Sequence, residues 1–211
     1  MCSRPGRAAA IPGRSPTVNE RALRALICED EGLTVILLRR ALTTAGYEVV
    51  GEAAEGASGI EMARTLEPDF ILMDVNMPGV NGIDATRQIM QERPMPIVIL
   101  TAYSDDRLVE EAIEAGACAY IVKPIVSEQL IPAVRTALTR FEALQSIQQE
   151  NQDLKEQLET RKLVERAKGI LMDRARLSEA DAFRRLQKTS RDRCQTLKHT
   201  ALEIIHADSL L

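Results

Sequence analysis

Five short apolar runs, at residues 25–28, 49–54, 70–73, 97–100 and 119–122, are separated by longer segments with apolar residues at helical spacing. Runs this short suit strands buried on both faces better than core helices, and the intervening segments, about 33–45, 58–66, 81–91, 106–115 and 127–140, read as amphipathic helices. Gly46 and Gly116 sit where two of those helices end, a place that calls for a left-handed residue. Strict alternation of strand and helix predicts an α/β, doubly wound, five-stranded parallel sheet covered on both faces, with right-handed crossovers.

In an open parallel sheet the ligand site lies beyond the carboxyl ends of the strands, where strand order reverses. Four of the five runs stop at a group that suits such a site: Glu29 and Asp30 after the first, Asp74 after the third, Thr101 after the fourth and Lys123 after the fifth. Carboxylates gathered in one crevice repel one another, and a divalent cation relieves that repulsion; hard oxygen ligands suit Mg2+. Asp74 is then the candidate nucleophile for an aspartyl phosphate. The Lys123 ammonium is placed to balance charge on the phosphoryl oxygens, and the Thr101 hydroxyl to hydrogen-bond one of them. Any one of these residues alone reads more readily as a helix cap or a solvated turn than as part of a site. Their occurrence in order along one inferred edge is what favours a site.

The remaining chain has a different texture. Residues 1–20 are rich in Pro, Gly and Arg without apolar periodicity, so disorder is expected there. Residues 141–160 read as a polar coiled-coil linker helix, with Leu144, Ile147, Asn151, Leu154 and Leu158 forming a seam of about two heptads. A polar Asn at a seam position costs stability but fixes register, which favours a parallel homodimer over a solitary solvated helix. Residues 161–211 predict a small all-α three-helix bundle, with Ser178 and Asp181 opening its second helix and Phe183 expected in its core.

Charge divides the same way. Residues 21–140 carry a net −7, residues 141–160 a net −4 and residues 161–211 a net +5. A basic tail behind an acidic body suggests a polyanionic partner. The four cysteines, Cys2, Cys28, Cys118 and Cys194, lack the close pairing of a zinc or redox motif; Cys28 and Cys118 are expected in the core. No apolar run is long enough to cross a bilayer, and a cytoplasmic protein is expected.

Residues 24–138 resemble a response-regulator receiver domain. The resemblance rests on Cys28-Glu29-Asp30-Glu31, on Met73-Asp74-Val75-Asn76-Met77-Pro78-Gly79 with Asn81-Gly82, on Leu100-Thr101-Ala102 and on Val122-Lys123-Pro124. It implies a flavodoxin-like fold, Asp74 as phosphoacceptor for a cognate histidine kinase, and Mg2+ held by Glu29, Asp30, Asp74 and the Asn76 main-chain carbonyl. It further implies Thr101 and Lys123 as phosphate-sensing residues, a cis Lys123-Pro124 peptide, and Tyr120 as the aromatic that turns inward with Thr101 on activation.

Residues 161–205 resemble the ANTAR domain, a three-helix RNA-binding output module of transcription antiterminators. The strings are Glu165-Arg166-Ala167-Lys168-Gly169-Ile170-Leu171-Met172, Ser178-Glu179-Ala180-Asp181-Ala182-Phe183 and Leu186-Gln187-Lys188-Thr189-Ser190. Arg191, Cys194 and His199 depart from the family's usual residues. The resemblance implies binding of structured leader RNA, with Lys168, Arg185, Lys188, Arg191, Arg193 and Lys198 as candidate contacts. The expected protein is a phosphorylation-promoted dimer and an RNA-binding antitermination regulator, not an enzyme beyond its own aspartyl phosphorylation and dephosphorylation. The rival readings are a DNA-binding response regulator and a protein-binding signalling module. The tail's glycine lies inside its first helix at Gly169, and no tight turn precedes its third, which disfavours a helix-turn-helix reader.

Overall fold

The computed structural model describes residues 21–102 and 106–209, so the expectation for residues 1–20 lies outside the described residues. Five strands, β1 (Arg24–Cys28), β2 (Glu48–Ala53), β3 (Phe70–Asp74), β4 (Ile97–Thr101) and β5 (Ala119–Val122), form one parallel sheet in the order β2-β1-β3-β4-β5. Between them run α1 (Gly32–Thr44), α2 (Gly56–Leu66), α3 (Gly82–Glu92) and α4 (Asp106–Glu114). Strand order reverses at β1 and β3, which places a crevice beyond Cys28 and Asp74.

The two-residue period of each strand divides the core between the faces of the sheet. Leu26, Cys28, Ile71, Met73, Ile97 and Ile99 face Ile60 of α2, Ile83 and Ile89 of α3 and Ala112 of α4. Ala25, Ile27, Phe70, Leu72, Val98 and Leu100 face Leu38 and Leu42 of α1 and, on the next helix, Leu130, Val134 and Ala137. Each of those large side chains contributes roughly 1.5–3 kcal/mol by leaving water, which is what holds β3 and β4 buried along their whole length. Gly46 and Gly116 have φ of 88° and 102°, as their places at helix ends required.

The expected boundaries at 140 and 160 do not mark breaks in the chain's helical structure. One helix, α5, runs over Ser127–Ala175, 49 residues. No Gly or Pro interrupts it between Pro132 and Gly169, and Pro132 lies near its start, where the missing N–H forfeits one intrahelical bond. The helix stops at Arg176, which adopts a left-handed φ of 50°.

The described residues divide into two compact units, with the boundary between Glu142 and Ala143. In the second, the end of α5 packs with α6 (Glu179–Asp192) and α7 (Leu197–Ser209) around Val164, Ala167, Leu186, Ala201 and Ile205. Ser178 caps α6 as its spacing predicted: its hydroxyl accepts from the Asp181 amide at 3.2 Å and donates to the Asp181 carboxylate at 2.6 Å. Phe183, expected in the core, is 37% exposed. The buried stripe of α6 is Ala182, Leu186 and Ser190, and Phe183 lies one residue, about 100°, around the helix from it. Among the described residues no helix is long and apolar enough to cross a membrane.

Candidate functional site

The crevice gathers its side chains because each stands at, or just past, the carboxyl end of a strand locked in the sheet. Glu29 follows β1 and is held by its amide, which donates to the Ala53 carbonyl at 2.8 Å; Asp74 is the last residue of β3. Thr101 ends β4, and its carbonyl accepts from the Lys123 amide at 2.7 Å, which draws Lys123 alongside. Glu29, Asp74 and Thr101 are buried and Asp30 is exposed. The Lys123–Pro124 peptide is cis.

Lys123 joins the two buried carboxylates. Its ammonium donates to Glu29 Oε1 at 3.0 Å, lies 2.8 Å from Oε2, and stands 3.2 Å from Asp74 Oδ2. Two acceptors are left over: Glu29 Oε2, close to the ammonium but misaligned for a hydrogen bond, and Asp74 Oδ1. One oxygen each from Glu29, Asp30 and Asp74 falls within 4.8 Å of the others. Two buried, unsatisfied carboxylate oxygens and a third, solvent-facing carboxylate fit a hard divalent cation that keeps part of its water shell. Burial is the largest cause raising the Asp74 carboxyl above its ordinary range; Lys123 pulls it down, Asp30 pushes it up and the Asn76 amide lowers it by hydrogen bonding. Glu29 is raised by the same burial, with the Lys123 hydrogen bond opposing it and Asp74 adding to the rise. Lys123 is held above its ordinary value by both carboxylates, despite burial acting the other way.

One element of the site was not read from the sequence. Gly82, the first residue of α3, packs so closely on Asp74 that a Cβ there would stand 1.9 Å from the Asp74 carbonyl oxygen. Its amide donates to the Val75 carbonyl at 3.0 Å. The Asn81-Gly82 pair was the visible signal, and Asn81 does cap α3, its side chain accepting from the Asp84 amide. Tyr120, the expected switch aromatic, points outward from β5 and is 48% exposed.

The second unit sorts the candidate RNA contacts into two groups. Lys168 is mostly buried, with its ammonium 2.7 Å from Glu179, 2.9 Å from Glu165 and 6.0 Å above the Phe183 ring. Both carboxylates raise its pKa. Arg193 pairs with Glu203 at 2.7 Å, and Lys198 with Glu156 at 3.4 Å. Arg185, Lys188 and Arg191 are exposed on α6 and have no ion-pair partner among the described residues. Along α5, Leu144, Ile147, Leu154 and Leu158 are exposed, and Asn151 donates to its own helix at the Ile147 carbonyl, 3.0 Å away.

Comparison with known proteins agrees with both halves. The response regulator receiver domain model matches residues 25–135, and the ANTAR domain model matches residues 152–205. The transcriptional regulatory protein PdtaR of Mycobacterium tuberculosis is 47% identical over 178 residues, 84% of this chain and 87% of that protein. The crystal structure of the response regulator domain of Thermotoga maritima CheB superposes with a TM-score of 0.53 at 29% identity, covering 56% of this chain and 98% of that one. The CheX-CheY-BeF3-Mg2+ complex from Borrelia burgdorferi gives 0.52 at 25% identity, covering 53% of this chain and 86% of that one. This chain belongs to the response regulators, with a receiver domain followed by an ANTAR domain.

Proposed function

We propose that the protein is a phosphorylation-switched, RNA-binding transcription antitermination regulator of the cytoplasm. The observation that carries the input half is the arrangement of Asp74, with an unpartnered oxygen, beside Lys123 and clustered with Glu29 and Asp30. A carboxylate oxygen of Asp74 attacks the phosphorus of a kinase phosphohistidine; the new O–P bond forms as the P–N bond breaks, and the imidazole leaves with the electron pair. Glu29, Asp30, Asp74 and the Asn76 carbonyl are the residues that would hold Mg2+, which when bound neutralises charge on the phosphoryl oxygens. The solved complex bearing BeF3 and Mg2+ on a similar receiver fold supports that reading.

Lys123 exchanges carboxylate partners for a phosphoryl oxygen, the Thr101 hydroxyl donates to another, and Tyr120 follows Thr101 inward from β5. The exposed seam of Leu144, Ile147, Asn151, Leu154 and Leu158 pairs with that of a second copy, and phosphorylation favours the pair. Two ANTAR units then grip one structured leader RNA, gaining affinity from their connection alone. Chemistry on this chain is confined to Asp74, which takes up and releases one phosphoryl group.

The test is binding to a synthetic RNA of two tandem stem-loops, titrated across salt, with and without acetyl phosphate and MgCl2. Tighter, strongly salt-dependent binding after phosphorylation of the wild type, and no change in Asp74→Asn, is expected. Weak, salt-independent binding indifferent to the phosphodonor refutes it.

A further inference from the structure

Which face of the second unit meets RNA is decided by where its positive charge is already spent. Arg174 is paired with Asp208, Arg193 with Glu203, Lys198 with Glu156 and Glu159, and Lys168 with Glu165 and Glu179. To meet a phosphate, each must first give up a carboxylate. The groove along α5 is no better a seat for a polyanion: Asp153, Glu156 and Glu165 line it against only Arg161 and Lys198.

Exposed basic residues without an ion pair among the described residues remain on α5, Arg161, Lys162 and Arg166 among them, and on the outer face of α6, and only α6 sets three of them in one row. Arg185, Lys188 and Arg191 follow at steps of three residues, so they are surface neighbours along one row of the helix. All are exposed, none has a carboxylate partner among the described residues, and the row turns away from the buried stripe of Ala182, Leu186 and Ser190. Arg184 adds a fourth positive charge beside them, held only by an exposed pair with Asp181 at 2.8 Å. Such a pair contributes little and yields readily to a phosphate.

We infer that the outer face of α6, through Arg185, Lys188 and Arg191, is the surface that tracks the RNA phosphate backbone. The inference deepens the RNA-binding reading and rests on it. Lys168 is then a positioning residue that ties α5 to α6, and Arg193 and Lys198 brace α7; none of the three is a phosphate ligand.

The experiment compares log K against log salt for the full chain and the tandem stem-loop RNA. The α6 variant is Arg185→Gln, Lys188→Gln and Arg191→Gln combined. The control is Arg161→Gln, Lys162→Gln and Arg166→Gln, which removes equal charge from exposed positions on α5. Gln is a helix former close to Arg and Lys, so helical content should be unchanged in both. Each cation that neutralises a phosphate adds about 0.7–0.9 to the slope, so the α6 variant, lacking three, should flatten it by about 2 and weaken binding roughly 100-fold near 0.15 M salt. The control should keep most of the slope, and the charge-preserving Arg185→Lys, Lys188→Arg and Arg191→Lys variant should restore it. A wild-type slope in the α6 variant overturns the inference while leaving RNA binding intact, and a loss confined to the control moves the surface to α5. A wild type with no salt-dependent RNA binding removes the parent reading and this inference together.

Discussion

Replacing Lys123 with Met tests how the crevice is held together. Met keeps an unbranched stem of similar length while removing the ammonium that bridges Glu29 and Asp74. The carboxylate oxygens of Glu29, Asp30 and Asp74 lie within 4.8 Å, so at an effective dielectric near 20 each charged pair repels by about 3.5 kcal/mol. Breaking a buried ion pair from one side typically costs about 3–5 kcal/mol. Asp30 is exposed and protonation relieves part of the repulsion, so a loss of about 3 kcal/mol at pH 8 in EDTA is expected.

The sign with pH follows from the raised carboxyls. Glu29 and Asp74 titrate above their ordinary range because of burial, and Lys123 is what restrains them. A raised carboxyl binds its proton more tightly folded than unfolded, so stability is fully present below the unfolded pKa of about 4 and is lost as pH rises through the folded value. The Lys123→Met penalty should therefore grow with pH, and Mg2+ should restore more stability to the variant than to the wild type. Urea unfolding reads this directly: the three tyrosines, Tyr47, Tyr103 and Tyr120, all precede α5 and there is no Trp, so tyrosine emission reports the receiver unit alone. A loss under about 0.5 kcal/mol at pH 8 in EDTA, or an equal Mg2+ response in both proteins, refutes the electrostatic account.

Asp74→Asn should abolish phosphoryl uptake from acetyl phosphate, read by intact mass. In EDTA it should stabilise the receiver by about 1–2 kcal/mol, since one of three clustered charges is gone. Gly82→Ala should cost about 3 kcal/mol or more and slow phosphorylation, because the added methyl cannot coexist with the Asp74 carbonyl; urea midpoints and phosphorylation rates check both. Burial pushes the Cys28 thiol up to about 12, so a thiol reagent at pH 8 should label exposed Cys194 at once and Cys28 only after unfolding, as peptide mass mapping would show. Leu154→Lys places a charge in the proposed seam and should shift the phosphorylated protein to monomer in analytical ultracentrifugation.

The sheet was legible in sequence because a strand buried on both faces must be apolar, as the runs that became β3 and β4 are, while the edge strands β2 and β5 are half-buried and tolerate Glu52 and Tyr120. The site was legible because its residues stand at strand ends, where position along the chain translates into position in space. What could not be read depends on encounters between distant residues. Gly82 entered only as half of the Asn81-Gly82 pair among the receiver-like strings, and only the fold shows the Asp74 carbonyl where a side chain would be. The basic candidates of the tail looked equivalent because residue type says nothing of burial or of whether a carboxylate from another helix waits beside each one; Lys168 is buried against Glu179 and Lys188 is exposed and unpaired among the described residues. Phe183 was assigned inward from its apolar character, and the helix phase set by Ala182 and Leu186 turned it outward.

The close seat of α3 on Asp74 bears on how a chemical change there becomes movement. Behind the carboxylate, the strand has no slack: Gly82 blocks retreat on one side, the Gly82 amide pins the Val75 carbonyl, and the Val75 amide is tied to Leu100 at 3.0 Å. β5, in contrast, is an edge strand joined to a single neighbour and only half-buried. A phosphoryl group added at Asp74 therefore meets a stiff wall and a compliant one, and displacement is expected to run toward Thr101, Lys123 and β5, the strand that leads into α5. The stiffness of α3 sets the direction of the signal, although no residue of that helix need move.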